Sequence, residues 1–573
     1  MNDSKNMILA VAISALILLG WTWASNRYFP PAKPAASTKV VNGQQQALPQ
    51  PGAQPAADAP KAMQSRAAVL GATPRVRIVT PSLNGSINLK GAQIDDLVLL
   101  KQRQTIAKDS PPVRLLSPLG APGAYFASFG WSGTAGDLPG ADTVWTASAP
   151  VLSPGKPVTL SWANPAGQRF EQIVSVDDNY LFTVKQRVVN GGTSPVAVRP
   201  FGLISRATKS ADPDSWTVHV GPIGFLNDKA NYEVDWKTLD QAGPAGEQYS
   251  SNGGWLGFTD KYWLTALAPV GNSGISASLR KSPSGGYQAD YADAPVVVAP
   301  GQAAEQDVRL FAGAKELDTL KTYENAGIPG LTRAIDWGWF RWFMIPIFQL
   351  LVWLFHAVGN FGVAIIGLTL IVRGIMFPIA QKQFQSMAAM RKIQPKMKAI
   401  QERYKDDKPR QQQEILKLYQ TEKINPAAGC LPILLQIPVF YALYKVLMVS
   451  VEMRHQPFAG WLRDLSAPDP ASLLTVAHAL GWTWFPAFLG LSVLAFLLGV
   501  TMWLQFKLNP QQMDPTQQQI FAIMPWMMMF IMSPFASGLQ LYWVTSNVLT
   551  ILQQWWLYRR FGLHLSDTHP VHT

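Results

Sequence analysis

The amino-acid sequence predicts a multi-domain membrane protein: an α-helical transmembrane core joined to a large β-sandwich outside the bilayer. Three observations predict it. Charged residues are only 15% of the 573-residue chain, hydrophobic residues reach 48%, and there are 21 tryptophans, a balance that suits a chain partly dissolved in lipid. Long apolar runs occur near the N-terminus and again after residue 335. Between them the hydrophobic period falls to two, the period of strands.

The first apolar run, MILAVAISALILLGWTWA at 7–24, is 18 residues long. That is near the length that spans a bilayer and longer than a signal-peptide core, so residues 1–29 read as an uncleaved anchor, with a signal peptide cut after Thr22 and Ala24 as the plainer alternative. Residues 30–71 are rich in Pro, Ala and Gln without apolar periodicity, which predicts a disordered linker. Residues 72–325 carry short alternating runs such as RVRIVT (75–80), LFTVKQRVV (181–189) and DVRLFAG (307–313). Turn signals separate them, among them Asn190-Gly191-Gly192, and the pattern predicts one large β-sandwich. The segment IDWGWFRWFMIPIFQLLVWLFHAVG (335–359) predicts an interfacial helix within 331–358, with Trp337, Trp339 and Trp342 at the lipid surface and a break at Gly359-Asn360.

Candidate spans follow at 361–381, 430–450, 488–505, 519–535 and 539–557. The 382–423 segment holds eleven Lys and Arg against five Asp and Glu, which predicts that it lies in the cytoplasm. With the anchor, this places both termini in the cytoplasm and the β domain on the far side of the membrane. The net charge of +12 therefore points to a membrane surface rather than nucleic acid. The single cysteine, Cys430, forms no intrachain disulfide, and no cofactor, zinc site or thiol site is expected.

One residue contradicts its surroundings. Arg373 lies inside the apolar run GLTLIVRGIMFPIAQ (367–381). A charge at the centre of a span costs about 2.5–3.5 kcal/mol on insertion scales. Snorkelling to the cytoplasm is one account. The last span, however, carries Gln540, Trp543, Asn547, Thr550 and Gln554 on one helical stripe, with Ser546 beside it. Gln436 and Thr369 add polar groups at similar depth. Such a stripe can simply glue helices together, but glue needs no arginine, and the five later spans contain no acidic residue. A hydrated pocket open to the cytoplasm satisfies Arg373, and its natural guest is an acidic or polar peptide segment.

Two further segments fit such a guest, each with a plainer reading. PWMMMFIM (525–532) offers flexible apolar contacts, or fills a core. The basic loop reads as helices 383–404 and 410–423 parted at Asp406-Asp407-Lys408-Pro409, with Pro395 kinking the first. It could touch ribosomal RNA, anionic lipid or a nascent chain, or only solvate an anchor.

The runs IVRGIMFPIAQKQFQSMAAMRKIQPKMKAIQERY, INPAAGCLPILLQIPVFYALYKVL and SGLQLYWVTSNVLTILQQ resemble the YidC/Oxa/Alb family of membrane protein insertases across 361–560. The outer domain resembles, more weakly, the periplasmic supersandwich of the Gram-negative members. The resemblance implies a five-helix core with a hydrophilic groove, in the bacterial inner membrane. It implies a substrate groove of Arg373, Thr369, Gln436, Trp543, Ser546, Asn547 and Thr550. It implies a substrate-sliding surface at Ile437, Phe440, Met527 and Phe530, and a cytoplasmic hairpin carrying Arg391, Lys392, Lys396, Lys398 and Arg403. Its implied partners are nascent membrane proteins, the ribosome, the Sec translocon and membrane lipids, and its activity is insertion and chaperoning without enzymatic chemistry. Two features depart from the family pattern: Lys445, a charge in the middle span expected to snorkel outward, and a long outer loop before the fourth span (AHALGWTWFPAF). The short 561–573 tail lacks the long basic extension by which some relatives hold ribosomes.

The alternative function is a small-solute or anion transporter using Arg373 as its binding charge, although transporters usually show repeated spans. An enzyme in the β domain is a weaker alternative. That domain resembles sugar epimerases of the galactose mutarotase type, yet His219 is its only histidine.

Overall fold

The computed structural model describes residues 38–41, 44–47, 63–133, 137–212, 218–271, 274–282, 285–422, 431–472, 475, 480–481, 490–508 and 515–560. The expected anchor, the tail and Cys430 lie outside these residues, as do the side chains of Arg391, Lys392 and Lys398.

Two described strands fall inside the stretch expected to be linker. Strands Thr38–Val41 and Gln44–Ala47 pair as a short ribbon. Helix α1 (Arg66–Gly71) starts where Ser65 Oγ accepts the Ala68 N–H at 3.3 Å. Arg66 pairs with Asp96 on strand Gln93–Arg103. That ion pair explains why a composition typical of linkers still docks: one charge finds its partner 30 residues on.

The outer domain is two antiparallel sheets face to face, of nine and eleven strands. One pairing is parallel, between Arg75–Val79 and Val151–Leu152. The alternation read from 181–189 holds: in Leu181–Asn190 every second residue, Phe182 to Asn190, is buried. Phe170, Phe182 and Leu310 of one sheet meet the layer that holds Ile78, Leu97 and Ile204 of the other. Two ion pairs are built into this interior. Arg206 grips Asp260 at 2.8 and 3.1 Å, and Arg280 donates to Asp290 at 2.9 Å. Burial nevertheless pushes the Asp290 carboxyl up to about 6. Helix α2 (Trp236–Ala242) is capped by Asp235, and α3 (Leu317–Asn325) ends the domain.

Helix α4 (Arg341–Val358) buries Met344, Ile347, Phe348 and Leu351, spaced as one helical face. Trp339 and Trp342 are exposed as expected. Trp337 is not: it is 2% exposed, with its ring 5.5 Å from that of Phe348. It plugs the junction rather than meeting lipid. Gly359 ends α4 at φ 70°, a conformation that costs glycine nothing. Asn360 then caps α5 by accepting the Val363 N–H at 3.1 Å, so the break falls where the sequence placed it.

Helix α5 (Phe361–Arg403) is 43 residues long and continuous. The expected span 361–381 and the first arm of the hairpin are therefore one helix, with Pro378 and Pro395 inside it. The second arm, α6 (Lys408–Thr421), starts at Asp407, which accepts the Arg410 N–H at 3.1 Å. It packs back through the Tyr419 hydroxyl on Met397 Sδ at 3.3 Å and through a 2.6 Å Lys396–Glu422 pair.

Helices α7 (Leu431–Val449), α8 (Val493–Leu508), α9 (Pro515–Met532) and α10 (Ser537–Arg560) complete the core. Their bounds shift from the expected spans because polar side chains set the ends. Ser492 Oγ accepts the Ala495 N–H at 3.2 Å, and Asp469 accepts that of Leu494 at 2.9 Å, so α8 begins at 493 rather than 488. Gln540 donates to the carbonyls of Met532 and Phe535 at 2.8 and 2.9 Å, which ends α9 at 532. Among the described residues, Arg341–Val358 and Phe361–Lys382 are long and apolar enough to cross a membrane. Gln436–Val449, Val493–Leu508 and Ala522–Met532 are shorter apolar helices.

The outer domain sits directly on the core. Glu452, just past α7, accepts the Leu317 N–H at 3.0 Å and so caps α3. Arg454 donates to the carbonyls of Arg103 and Gln104 at 2.6 and 3.1 Å. Its guanidinium lies over Tyr262 and Trp263. Lys445 does not snorkel outward as expected. It is 1% exposed and donates to Asp336 Oδ2 at 3.1 Å and to the Asp336 carbonyl at 2.8 Å. A fixed acceptor nearby removes the reason to reach for water.

Candidate functional site

The site is built from α5, α7 and α10. Arg373 points from α5 to α10, where its Nε and Nη2 both donate to Ser546 Oγ at 3.1 and 2.5 Å. One turn earlier on α10, the Tyr542 hydroxyl accepts from Gln436 of α7. Phe440, one turn on from Gln436, packs against Trp543 with ring centroids 4.7 Å apart. Arg373, Gln436, Phe440, Trp543 and Ser546 are thus brought together, with Tyr542 among them. Among the described residues the partner of the guanidinium is a hydroxyl, which carries no countercharge.

The remaining polar residues of the α10 stripe do other work. Asn547 is 5% exposed and donates to Thr501 of α8 at 3.1 Å. Gln540 is fully buried and also accepts from Ser492 Oγ at 3.1 Å. The Thr550 hydroxyl bonds the Ser546 carbonyl at 2.8 Å, and that of Thr369 bonds the Ile365 carbonyl at 2.6 Å. Sequence reasoning missed Tyr542 and Thr501. Tyr542 could have been found, since it lies one turn before Ser546 on the face toward α5.

The apolar candidates divide by exposure. Ile437 is 57% exposed, Met527 49% and Phe530 53%, while Phe440 is half-buried. On the same helix as Met527 and Phe530, Met529 and Met532 are buried. A Cβ on Gly499 would lie 2.2 Å from Met529 Cγ, so Met529 of α9 packs directly over the bare backbone of α8 there. The methionine run of α9 therefore fills a core on one side and presents a bare face on the other. At the C-terminal ends of α8 and α10, Lys507 lies over Trp503, Arg559 over Trp555 and Arg560 over Trp556. No group of three or more His, Cys, Asp or Glu side chains that could hold a metal occurs among the described residues.

Comparison with known proteins bears on the whole chain. Residues 353–563 match the family model described as 60Kd inner membrane protein, and residues 75–350 match that of the YidC periplasmic domain. The membrane protein insertase YidC of Zymomonas mobilis is 45% identical over 561 residues, covering 98% of this chain and 96% of its own length. The chain belongs to the YidC family of membrane protein insertases. The YidC of a Methylobacterium species is 41% identical over 600 residues, covering 98% of this chain and 96% of its own length. A crystal structure of an active YidC insertase with its first transmembrane domain resolved covers 86% of this chain and 93% of its own, at 18% identity and a TM-score of 0.36. A galactose mutarotase-related enzyme of Lactobacillus acidophilus matches 42% of this chain and 97% of its own, at 10% identity and a TM-score of 0.28.

As a YidC-family insertase, the chain places nascent membrane proteins in the bacterial inner membrane and is not an enzyme. Its β domain is periplasmic and its helical region is the insertase domain.

Proposed function

We propose that insertion proceeds through a hydrated, positively charged groove bordered by α5, α7 and α10 and open to the cytoplasm and to lipid. The observation that carries this reading is Arg373: a guanidinium in an apolar helix whose partner among the described residues is the Ser546 hydroxyl rather than a carboxylate. The polar outer segment of a substrate enters against Arg373, Ser546, Gln436 and Trp543. Thr369, Asn547 and Thr550 form the wall, their own hydrogen bonds already made. The apolar segment leaves along Ile437, Phe440, Met527 and Phe530 into lipid.

Water in the groove shortens the hydrocarbon path that polar groups must cross, which lowers the barrier. Burial of the substrate's apolar segment supplies the drive. The basic 382–423 hairpin receives the chain from the ribosome, with Arg391, Lys392, Lys396, Lys398 and Arg403 as its cations. Both termini lie in the cytoplasm, and the chain works alone or beside the Sec translocon.

The test is reconstitution of the full chain in liposomes with a single-span substrate bearing an acidic outer segment. Insertion that fails in Arg373→Ala, with a cysteine substituted at position 373 accessible to water-soluble thiol reagents in a Cys430→Ser background, supports the groove. A dry position 373, or solute flux without insertion, overturns it and favours an anion transporter.

A further inference from the structure

The segment between the outer domain and α4 is held from both sides by lysines. Residues Leu331–Ala334 form one 3-10 turn. Lys315, 2% exposed on the outer domain, donates to the Ala334 carbonyl at 3.3 Å and to Thr259 Oγ1 at 2.9 Å. Two residues on, Lys445 of α7 takes the Asp336 carbonyl and carboxylate. Arg341, the first residue of α4, donates to Thr332 Oγ1 at 2.8 Å, and the Thr332 N–H is taken by Glu324. Trp337 is buried beneath.

We infer that Lys445 and Asp336 are positioning residues for insertion: their pair pins the start of α4 to α7 and thereby fixes where α4 lies against the groove helices. The consequence for the groove is geometric. α4 packs on α5, with Phe355 stacked on Phe361 at 3.9 Å. Ile437 stands eight residues before Lys445 on α7, roughly 12 Å along the helix. Removing the Asp336 carboxylate takes away the countercharge that ties the start of α4 to α7 and leaves Lys445 with the weaker bond to the 336 carbonyl.

This inference rests on the insertion reading and is tested apart from it. A dye attached to the new thiol of a Trp353→Cys variant, in a Cys430→Ser background, reports the depth of α4 through quenching by brominated lipids in liposomes of the full chain. Trp353 is 63% exposed, so a label at this position disturbs no core. Lys445→Met should shift the depth and lower reporter insertion at least about tenfold, as loss of one partner from a buried ion pair predicts. Asp336→Asn should do less, because the carbonyl bond to Lys445 survives. Lys445→Arg should restore both depth and insertion. If Lys445→Met fails to accumulate, Asp336→Asn decides on the same two readouts. Wild-type depth and insertion in these variants, or a change in one readout without the other, overturns the pin. Arg373→Ala judges the groove separately: normal insertion there removes the groove and leaves the pin to stand or fall by its own measurements.

Discussion

Arg373 donates twice to a single acceptor, the Ser546 hydroxyl, at 3.1 and 2.5 Å. A single hydroxyl oxygen does not call for the two-oxygen match to carboxylate by which arginine outdoes lysine. Arg373→Lys should therefore keep most insertion, and Arg373→Ala should lose it for substrates with acidic outer segments. Ser546→Ala should lower insertion of the same substrates, though less than Arg373→Ala does, and lower stability by about 1–3 kcal/mol. Insertion assays on inverted vesicles, with thermal unfolding in detergent, separate these outcomes.

Gln540 offers the contrasting case. It lies on the same stripe, yet its bonds close the turn between α9 and α10. Gln540→Leu should cost about 1–3 kcal/mol for each buried carbonyl left unmade. Insertion per folded molecule should stay at the wild-type level. A specific loss of insertion at normal stability would assign Gln540 to the groove.

Exposure splits the methionines of α9. A photo-crosslinking residue at 527 or 530 should capture a translating substrate, as should one at 437. At 529 the same probe should react only within the chain, since Met529 is 4% exposed. Equal substrate capture at 527 and 529 would mean that α9 rotates in use.

Gly499→Val should destabilise the α8–α9 contact by about 1–3 kcal/mol, because its Cβ meets Met529. Met529→Ala in the same chain should recover part of that loss, which melting temperatures of the single and double variants would reveal.

The contact between outer domain and core should respond to pH through Glu452. Burial, with a smaller push from Glu316, raises its carboxyl from an ordinary 4.5 to about 7. A carboxyl held above its unfolded value favours the protonated form in the native state. Its stabilising contribution is thus full below about 4.5 and lost as pH rises through about 7. Glu452→Gln should flatten this part of the profile and be the more stable protein at pH above about 7. Unfolding followed across that window checks the sign.

Much of this architecture was legible in the sequence because each part has its own period. Alternation in 181–189 marked a half-buried strand, and the aromatic-rich run 335–359 marked a helix, whose buried face of Met344, Ile347 and Phe348 the structure supplies. Gly359-Asn360 announced its break through backbone chemistry alone. What stayed hidden were partners distant in the chain. Nothing near Lys445 names Asp336, 109 positions away, and so the lysine looked as though it must reach for water. Trp337 read as a lipid-facing ring for the same reason: its cover, Phe348, belongs to the next element. The α10 stripe grouped Gln540, Trp543, Asn547, Thr550 and Gln554 on one face but did not give the division of labour within it. Ser546 and Asn547 are neighbours that point about 100° apart, one toward α5 and the other toward α8.

The unbroken course of α5 has a mechanical corollary. Arg373 and Arg403 ride on one rod, roughly 45 Å apart at 1.5 Å per residue. A loop between them would have absorbed any load on the hairpin; a helix transmits it. Pro378 and Pro395, each missing one rung of the backbone ladder, are the two places where the rod can flex. A push at Arg403 that these two points do not absorb reaches the turn that carries Arg373.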